Sequence, residues 1–421
     1  MKERRSKEMS RYDFDELVDR RGTGCVKWDE RPQVLAEASE QVRADASAGI
    51  STNPDIIPLW VADMDFKAAP AIQEAVRKRA EHGVFGYTVV DDDYYEAVIS
   101  WFQRRHNWTI RREEILYTTG VVPAISVAIK ALTMPGEKVL ILSPDYNCFF
   151  SSVRNNGCEV LETILRRIGD TFEVDFEDFE AKCADEKTTV FLLCNPHNPC
   201  GRVWTKAELE RMNDICMKYG VKVVSDEIHC ELVMPGYQFQ PFAAVNEACR
   251  QNSVILNSPS KSFNIAGLQA ANIICAQPEW RRRLDRAINI NEVCDLNPFG
   301  PVALIAAYNE SEDWLDALNE YLWGNYQTLC AFATEHLPKW KICHLEGTYL
   351  PWVDITATEM TSQAYCDCLL REVKVWVNPG TMYGPVSGEG YIRLNIACPR
   401  SRLLEALERI AKVESSSNPP A

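Results

Sequence analysis

The sequence predicts an α/β protein, with a mostly parallel sheet covered by helices and a smaller α+β unit after it. Three observations carry this. From about residue 57 short β-rich runs alternate with helical segments, the pattern of parallel strands joined by crossover helices. The runs are apolar, as strands buried between helical layers are. Past about residue 295 the alternation gives way to long helical stretches with a few strands near 340–355, 373–377 and 391–396. The expected division is an N-terminal arm with part of the small domain over 1–55, a large domain over 56–295, a small C-terminal domain over 296–413, and a disordered Ser/Pro-rich tail over 414–421.

Each element has its own signal. Residues 1–55 are polar and charged, and the Ala- and charge-rich stretch 34–51 reads as a helical excursion or a surface insertion. A strand over 114–119 ends at Gly120, and a helix over 122–132 follows with Pro123 in its first turn, where a missing N–H leaves nothing unsatisfied. Further strands are expected at 138–143, 188–194, 221–225, 253–257 and 270–275. The tetrapeptide Thr205-Lys206-Ala207-Glu208 is a capping box that opens a helix running to Tyr219, with Gly220 at its end.

Composition narrows the function. Hydrophobic residues make up 46% and charged residues 25% of 421 positions, an ordinary globular balance. A formal net charge of −15 speaks against nucleic acid as a partner, since phosphate contacts need clustered Lys and Arg. The apolar run at 56–62 stops at Asp63, far short of the roughly 20 residues of a membrane span. The N-terminus lacks the apolar core of a secretory signal. Sixteen scattered cysteines without a C-x-x-C pair read as reduced thiols of a cytoplasmic protein.

Six segments could carry chemistry. Lys261 lies among small polar residues in Ser258-Pro259-Ser260-Lys261-Ser262. A lysine amine made neutral is a nucleophile that forms Schiff bases, although a surface lysine in a turn is the commoner case. Asp226 ends an apolar strand, where open α/β sheets place their ligands. A carboxylate buried there needs a cation, and a protonated pyridine nitrogen would serve; capping the next helix is the other reading. Asn198 stands in Asn195-Pro196-His197-Asn198-Pro199 and can donate its amide to a phenolate oxygen, or simply shape a turn. Metal binding by Cys194, His197 and Cys200 is rejected, because the prolines prevent a helix from aligning them. Thr119-Gly120-Val121-Val122-Pro123 joins a strand to a helix N-terminus, whose free N–H groups suit a phosphate. The chain has no Walker A, G-x-G-x-x-G or G-x-S-x-G sequence. Tyr146 follows a strand and can stack on a flat ring or pack in the core. Arg393 alternates with apolar residues and needs a buried anion, either a substrate carboxylate or a structural salt bridge. In chain order these form a phosphate cradle, ring-stacker, ring-oxygen donor, ring-nitrogen partner, Schiff-base lysine and carboxylate clamp. Together they describe a site for pyridoxal 5′-phosphate and an amino acid.

From about Tyr12 to Leu407 the chain resembles fold-type I enzymes of the aspartate aminotransferase kind. More narrowly it is similar to the MalY/PatB group of cystathionine β-lyases and C–S lyases. The narrower resemblance rests on Phe14-Asp15, Arg21-Gly22-Thr23, Val26-Lys27-Trp28-Asp29, Leu59-Trp60-Val61-Ala62-Asp63-Met64-Asp65-Phe66, Phe85-Gly86-Tyr87-Thr88, Asp226-Glu227-Ile228-His229 and Arg393-Leu394-Asn395-Ile396. It implies a large domain with a mostly parallel seven-stranded sheet and a smaller α+β domain. It implies that Lys261 carries the coenzyme and shuttles the substrate Cα proton, that Asp226 pairs with the ring nitrogen, that Tyr146 stacks on the ring and that Asn198 bonds its oxygen. Val121, Val122 and Ser258 would hold the phosphate, and Arg393 the substrate carboxylate. Tyr87 would reach the phosphate of a neighbouring subunit, giving a homodimer with shared sites. His229 joins the coenzyme-binding residues at a position where aspartate aminotransferases place a tyrosine. Gln269 stands where many fold-type I enzymes carry a phosphate-binding arginine, and the MalY-like group also tends to lack it. No metal is expected. The implied activity is β-cleavage of L-cystathionine or related cysteine S-conjugates to a thiol, pyruvate and ammonia. The alternatives are an aminotransferase, or a MalY-like regulatory binding protein with secondary lyase activity.

Overall fold

Seven strands form the central sheet in the order Ile115–Thr118, Ala271–Cys275, Ser253–Asn257, Lys222–Asp226, Thr188–Cys194, Lys138–Ser143, Glu159–Ile164. Ala271–Cys275 runs antiparallel to both of its neighbours, and the remaining pairs are parallel. The computed structural model describes residues 12–30, 32, 55–290 and 295–415. The 34–51 stretch lies outside these residues. Of the tail expected over 414–421, the first two residues close the helix Arg400–Ser415, and the rest lies outside the described residues.

Strict alternation along the strands builds two cores. Val139, Ile141, Val190, Leu192, Val224, Val254 and Leu256 point to one face, where they pack with Ala124, Ile125 and Ala128 of the helix Val121–Leu132 and with Leu284 and Ala287 of Pro278–Asn289. Leu140, Leu142, Phe191, Leu193, Val223 and Ile255 point the other way, into a core continuous with the C-terminal part of the chain. This period of two is what a sheet covered on both faces requires. The capping box is formed: Thr205 accepts from Glu208 N–H at 3.2 Å, and Glu208 Oε2 accepts from Thr205 N–H at 2.8 Å. Helix Lys206–Lys218 then ends before Gly220, whose φ of +73° favours glycine.

The C-terminal part carries an antiparallel four-stranded sheet in the order Lys341–Ile342, Trp352–Asp354, Tyr391–Arg393, Asn378–Pro379. The helices Glu312–His336 and Ser362–Val373 pack there against Arg400–Ser415. Helix Gly300–Glu310 packs instead on Pro70–Glu81 and Asp92–His106. Ile57–Pro58, the first described strand, pairs in parallel with Val375–Trp376. The chain just after the arm is thereby tied to the C-terminal part, beside Arg393.

Candidate active site

The parallel strands end at one edge, and at four of them the chain carries a residue expected at the site. Tyr146 follows Lys138–Ser143, Asn198 follows Thr188–Cys194, Asp226 closes its own strand and Ser258 follows Ser253–Asn257. Lys261 sits in the reverse connection from Ser253–Asn257 to the antiparallel Ala271–Cys275. These residues line one cavity of about 280 Å³ together with Gly120, Val121, Val122, His229 and Gln269. Arg393 reaches its wall from the C-terminal sheet: Nη1 donates to Asn198 Oδ1 at 3.1 Å, and Nη2 to the Trp60 carbonyl at 2.9 Å. Of the expected site residues, only Tyr87 is elsewhere. Its side chain is fully exposed, in a segment with exposed Val84, Phe85 and Val89.

The charges of this cavity are incompletely matched. Asp226 is 3% exposed, and its Oδ1 accepts the Ile228 N–H at 3.1 Å. Burial pushes its carboxyl up to about 7, against the opposing pull of the Ile228 N–H and the Lys261 charge. Arg393 is 4% exposed; among the described residues it forms no ion pair, and its Nε has no hydrogen-bond partner. A buried guanidinium left this way calls for an anion. Among the described residues its aromatic contact is the face of Tyr383, at 4.6 Å. Lys261 Nζ donates to the Ala62 carbonyl at 2.6 Å. Burial lowers the basicity of this amine, Arg393 adds to that effect, and Asp63 and Asp226 oppose it. Burial also brings His229 down to about 3, helped by Lys261 and Arg393, so its ring is neutral at pH 7. Among the described residues its Nδ1 has no hydrogen-bond partner.

One end of the cavity is built from backbone. The helix Val121–Leu132 begins at the cavity with no side-chain cap, so its first N–H groups are available to an anion. Ser258 lines the cavity, but its hydroxyl donates to the Ala270 carbonyl at 2.6 Å and accepts the Ser260 N–H at 3.1 Å. Gln269 offers no charge there. Pyridoxal 5′-phosphate fits these residues: a cationic ring nitrogen matches Asp226, an aldehyde matches the Lys261 amine, and a phosphate matches the open helix end. Among the described residues the one His/Cys/carboxylate group close enough to share an ion is His106, Cys230 and Glu231. Glu231 is already bonded there to Trp101, His106 and Arg105.

Several contributors were not legible in the sequence. Tyr349 hydroxyl donates to the same Ala62 carbonyl at 2.9 Å. Asn264 accepts the Met64 N–H at 3.0 Å and donates to the Met64 and Phe66 carbonyls at 2.9 and 2.8 Å. It thus ties the lysine loop to the segment 62–66. The signal that could have flagged Asn264 is its place three residues after Lys261.

Residues 54–410 match the aminotransferase class I and II family. The chain is 39% identical to the cystathionine β-lyase PatB of Bacillus subtilis, over 94% of its own length and 98% of that protein. It is 34% identical to MalY of Escherichia coli, over 93% and 96%. The crystal structure of cystalysin from Treponema denticola, which contains a pyridoxal 5′-phosphate cofactor, superposes with a TM-score of 0.89 at 32% identity, covering 97% of this chain and all of the other.

Proposed function

We propose, from the premise that this chain belongs to the aminotransferase class I and II family, that it is a pyridoxal 5′-phosphate-dependent carbon–sulfur β-lyase. It cleaves L-cystathionine or a related cysteine S-conjugate to a thiol, pyruvate and ammonia. The observation that carries the reading is a pair of buried charges without an ion-pair partner among the described residues, Arg393 and Asp226, which both act on the Lys261 amine. One is suited to a substrate carboxylate and the other to a coenzyme cation. End-to-end likeness to a cystathionine β-lyase supports the lyase over the aminotransferase alternative.

When bound, the coenzyme supplies an electron sink that stabilises negative charge at the substrate Cα. The chain's own residues do the rest. Asp226 holds a proton on the ring nitrogen, because an adjacent cation restores the carboxylate that burial disfavours. Arg393 would grip the α-carboxylate, and by bonding Asn198 Oδ1 it leaves the Asn198 amide N–H free to donate to the ring oxygen the coenzyme would bring. Lys261, with its basicity lowered by burial, takes the Cα proton as a neutral base. Tyr146 would cover the ring face and the N–H groups of Val121 and Val122 would hold the phosphate, while Ser258 and neutral His229 line the rest of the wall.

The exposed segment containing Tyr87 and its apolar neighbours supports a homodimer in which each copy reaches the other's phosphate. The fifteen described cysteines are all free thiols, which suits the reducing cytoplasm. No described helix is long and apolar enough to cross a membrane.

Purified protein given L-cystathionine should release homocysteine, pyruvate and ammonia in equal amounts. Amino transfer that requires a keto acid, without pyruvate release, would overturn the lyase reading.

A further inference from the structure

The segment Trp60 to Met64 runs beside Lys261 with every carbonyl bonded. Trp60 O accepts from Arg393 Nη2 and Asn378 Nδ2, both at 2.9 Å. Val61 O accepts from Asn395 Nδ2 at 2.5 Å, and Ala62 O from Lys261 and Tyr349. Asp63 O accepts from Asn395 Nδ2 at 2.6 Å and Lys27 Nζ at 3.3 Å. Met64 O accepts from Asn264 and from Arg20 Nη1, the latter at 3.0 Å. Two of these donors, Arg20 and Lys27, come from the N-terminal arm. Arg20 also brackets the Asp63 carboxylate, with Nη2 2.6 Å from Oδ2 and Nη1 3.2 Å from Oδ1, and it reaches Asp65 at 2.8 Å. Lys27 Nζ lies 3.7 Å from Asp63 and 2.9 Å from Asp65.

We propose that Asp63, with its charge held by Arg20, is a positioning residue for Lys261. The arm holds the Asp63 and Met64 carbonyls just after the Ala62 carbonyl on which the amine docks, and it sets how much negative charge the amine feels. This rests on Lys261 being the residue that takes up the coenzyme. The groups facing the amine are Asp63, Asp226, Arg393, Cys148 and the neutral ring of His229. After burial, Asp63 acts on it most strongly, ahead of Arg393 and Asp226. Arg20 is the closest counter-charge to Asp63. Removing Arg20 leaves only the more distant Lys27 to offset the Asp63 charge, whereas removing the Asp63 charge leaves Arg20 opposed by Asp65 alone. The two changes therefore push the amine in opposite directions, and no purely structural role for the pair predicts that.

The test is coenzyme uptake by the coenzyme-free protein as a function of pH, trapped with borohydride and read by mass spectrometry on the Lys261 peptide. A neutral amine is the reactive form. Asp63→Asn should move the uptake profile to lower pH, Arg20→Gln should move it to higher pH, and the double variant should return near the parent. A displacement of half to one pH unit corresponds to about 3- to 10-fold in uptake rate at fixed pH. Should Arg20→Gln fail to fold, Asp63→Asn alone carries the test, since it removes no cation from the arm. Shifts of the same sign, or unmoved profiles in folded variants, overturn the proposal. Lys261→Ala is the separate control: trapping that persists in it would sink the lysine assignment itself, whatever the arm does.

Discussion

Two buried aspartates mark the difference between the frame of this protein and its site. Asp65 is 4% exposed and Asp226 is 3% exposed, so neither is solvated. Burial works against both carboxylates. At Asp65 it is outweighed by Lys27 at 2.9 Å, Arg20 at 2.8 Å and the Trp28 indole at 2.9 Å, and the carboxyl is held below its ordinary range. At Asp226 one backbone N–H and a more distant lysine are too little, and the carboxyl rises to about 7. The same contrast separates two arginines. Arg202 meets Glu208 at 2.9 Å and Glu346 at 3.0 Å, while Arg393 meets only neutral oxygens. Where every charge is answered from within the chain the role is structural. Where two charges of opposite sign stay unanswered around a cavity, the missing partners come from outside.

The largest test of this contrast is Lys261→Ala. It should lower pyruvate release by about 10³-fold or more, as expected for loss of a positioned base, and should abolish the coenzyme's visible absorbance in the purified protein. Unaltered absorbance that borohydride still bleaches would contradict the assignment.

Next in size is the pH dependence of stability, where the two aspartates should show opposite slopes. Asp226 binds its proton more tightly folded than unfolded. The coenzyme-free protein therefore loses stability as pH rises from about 4 to about 7, by on the order of 4 kcal/mol, and the loss is flat above that. Asp226→Asn should remove this slope. Asp65 is depressed, so its contribution is present at neutral pH and fades as pH falls through its folded value. Asp65→Asn should destabilise by about 3 kcal/mol at pH 7, since it leaves Lys27 buried beside fewer partners. Urea melts of the parent and both variants from about pH 2 to pH 8 measure this, with the Asp65 slope below about pH 4 and the Asp226 slope above it, and slopes of one sign would erase the distinction.

Arg393→Lys should raise KM for amino-acid substrates by about 10²-fold while leaving coenzyme content intact, because a lysine cannot reproduce the two-pronged grip. A steady-state series with L-cystathionine, alongside the absorbance of the bound coenzyme, separates the two effects. The smallest change expected is for Tyr87→Phe. It should weaken coenzyme retention by about 3-fold, the order of one lost hydrogen bond, with the sedimentation coefficient of a dimer unchanged. A dialysis time course reads the first and ultracentrifugation the second.

Much of this was legible in the chain. Lys138–Ser143, Thr188–Cys194 and Ser253–Asn257 carry enough consecutive apolar residues to fix their own bounds, and the Thr205 box fixed a helix start. Val121, Val122, Tyr146, Asn198, Asp226, His229, Ser258 and Lys261 converge because each follows or closes a strand of one sheet. What local reading misses depends on distant partners. Asn378–Pro379 and Ile57–Pro58 are two-residue strands with no periodicity, and they exist through pairing with residues far along the chain. Lys27 belongs to a segment that reads as polar arm, yet its side chain is buried. Its burial is permitted by Asp65, which lies 38 residues later.

The lysine loop begins and ends in strands that pair with each other: Asn257 faces Asn272, their amides bond at 3.1 Å, and Tyr94 closes the pair at 2.8 Å. A loop anchored in this way is a cassette. Its thirteen positions, 258–270, hang from a clasp outside them, while within the block Asn264 and Lys261 also tie it to the segment 62–66. Transplanting that block would separate the chemistry a lysine loop brings with it from the chemistry its host lends.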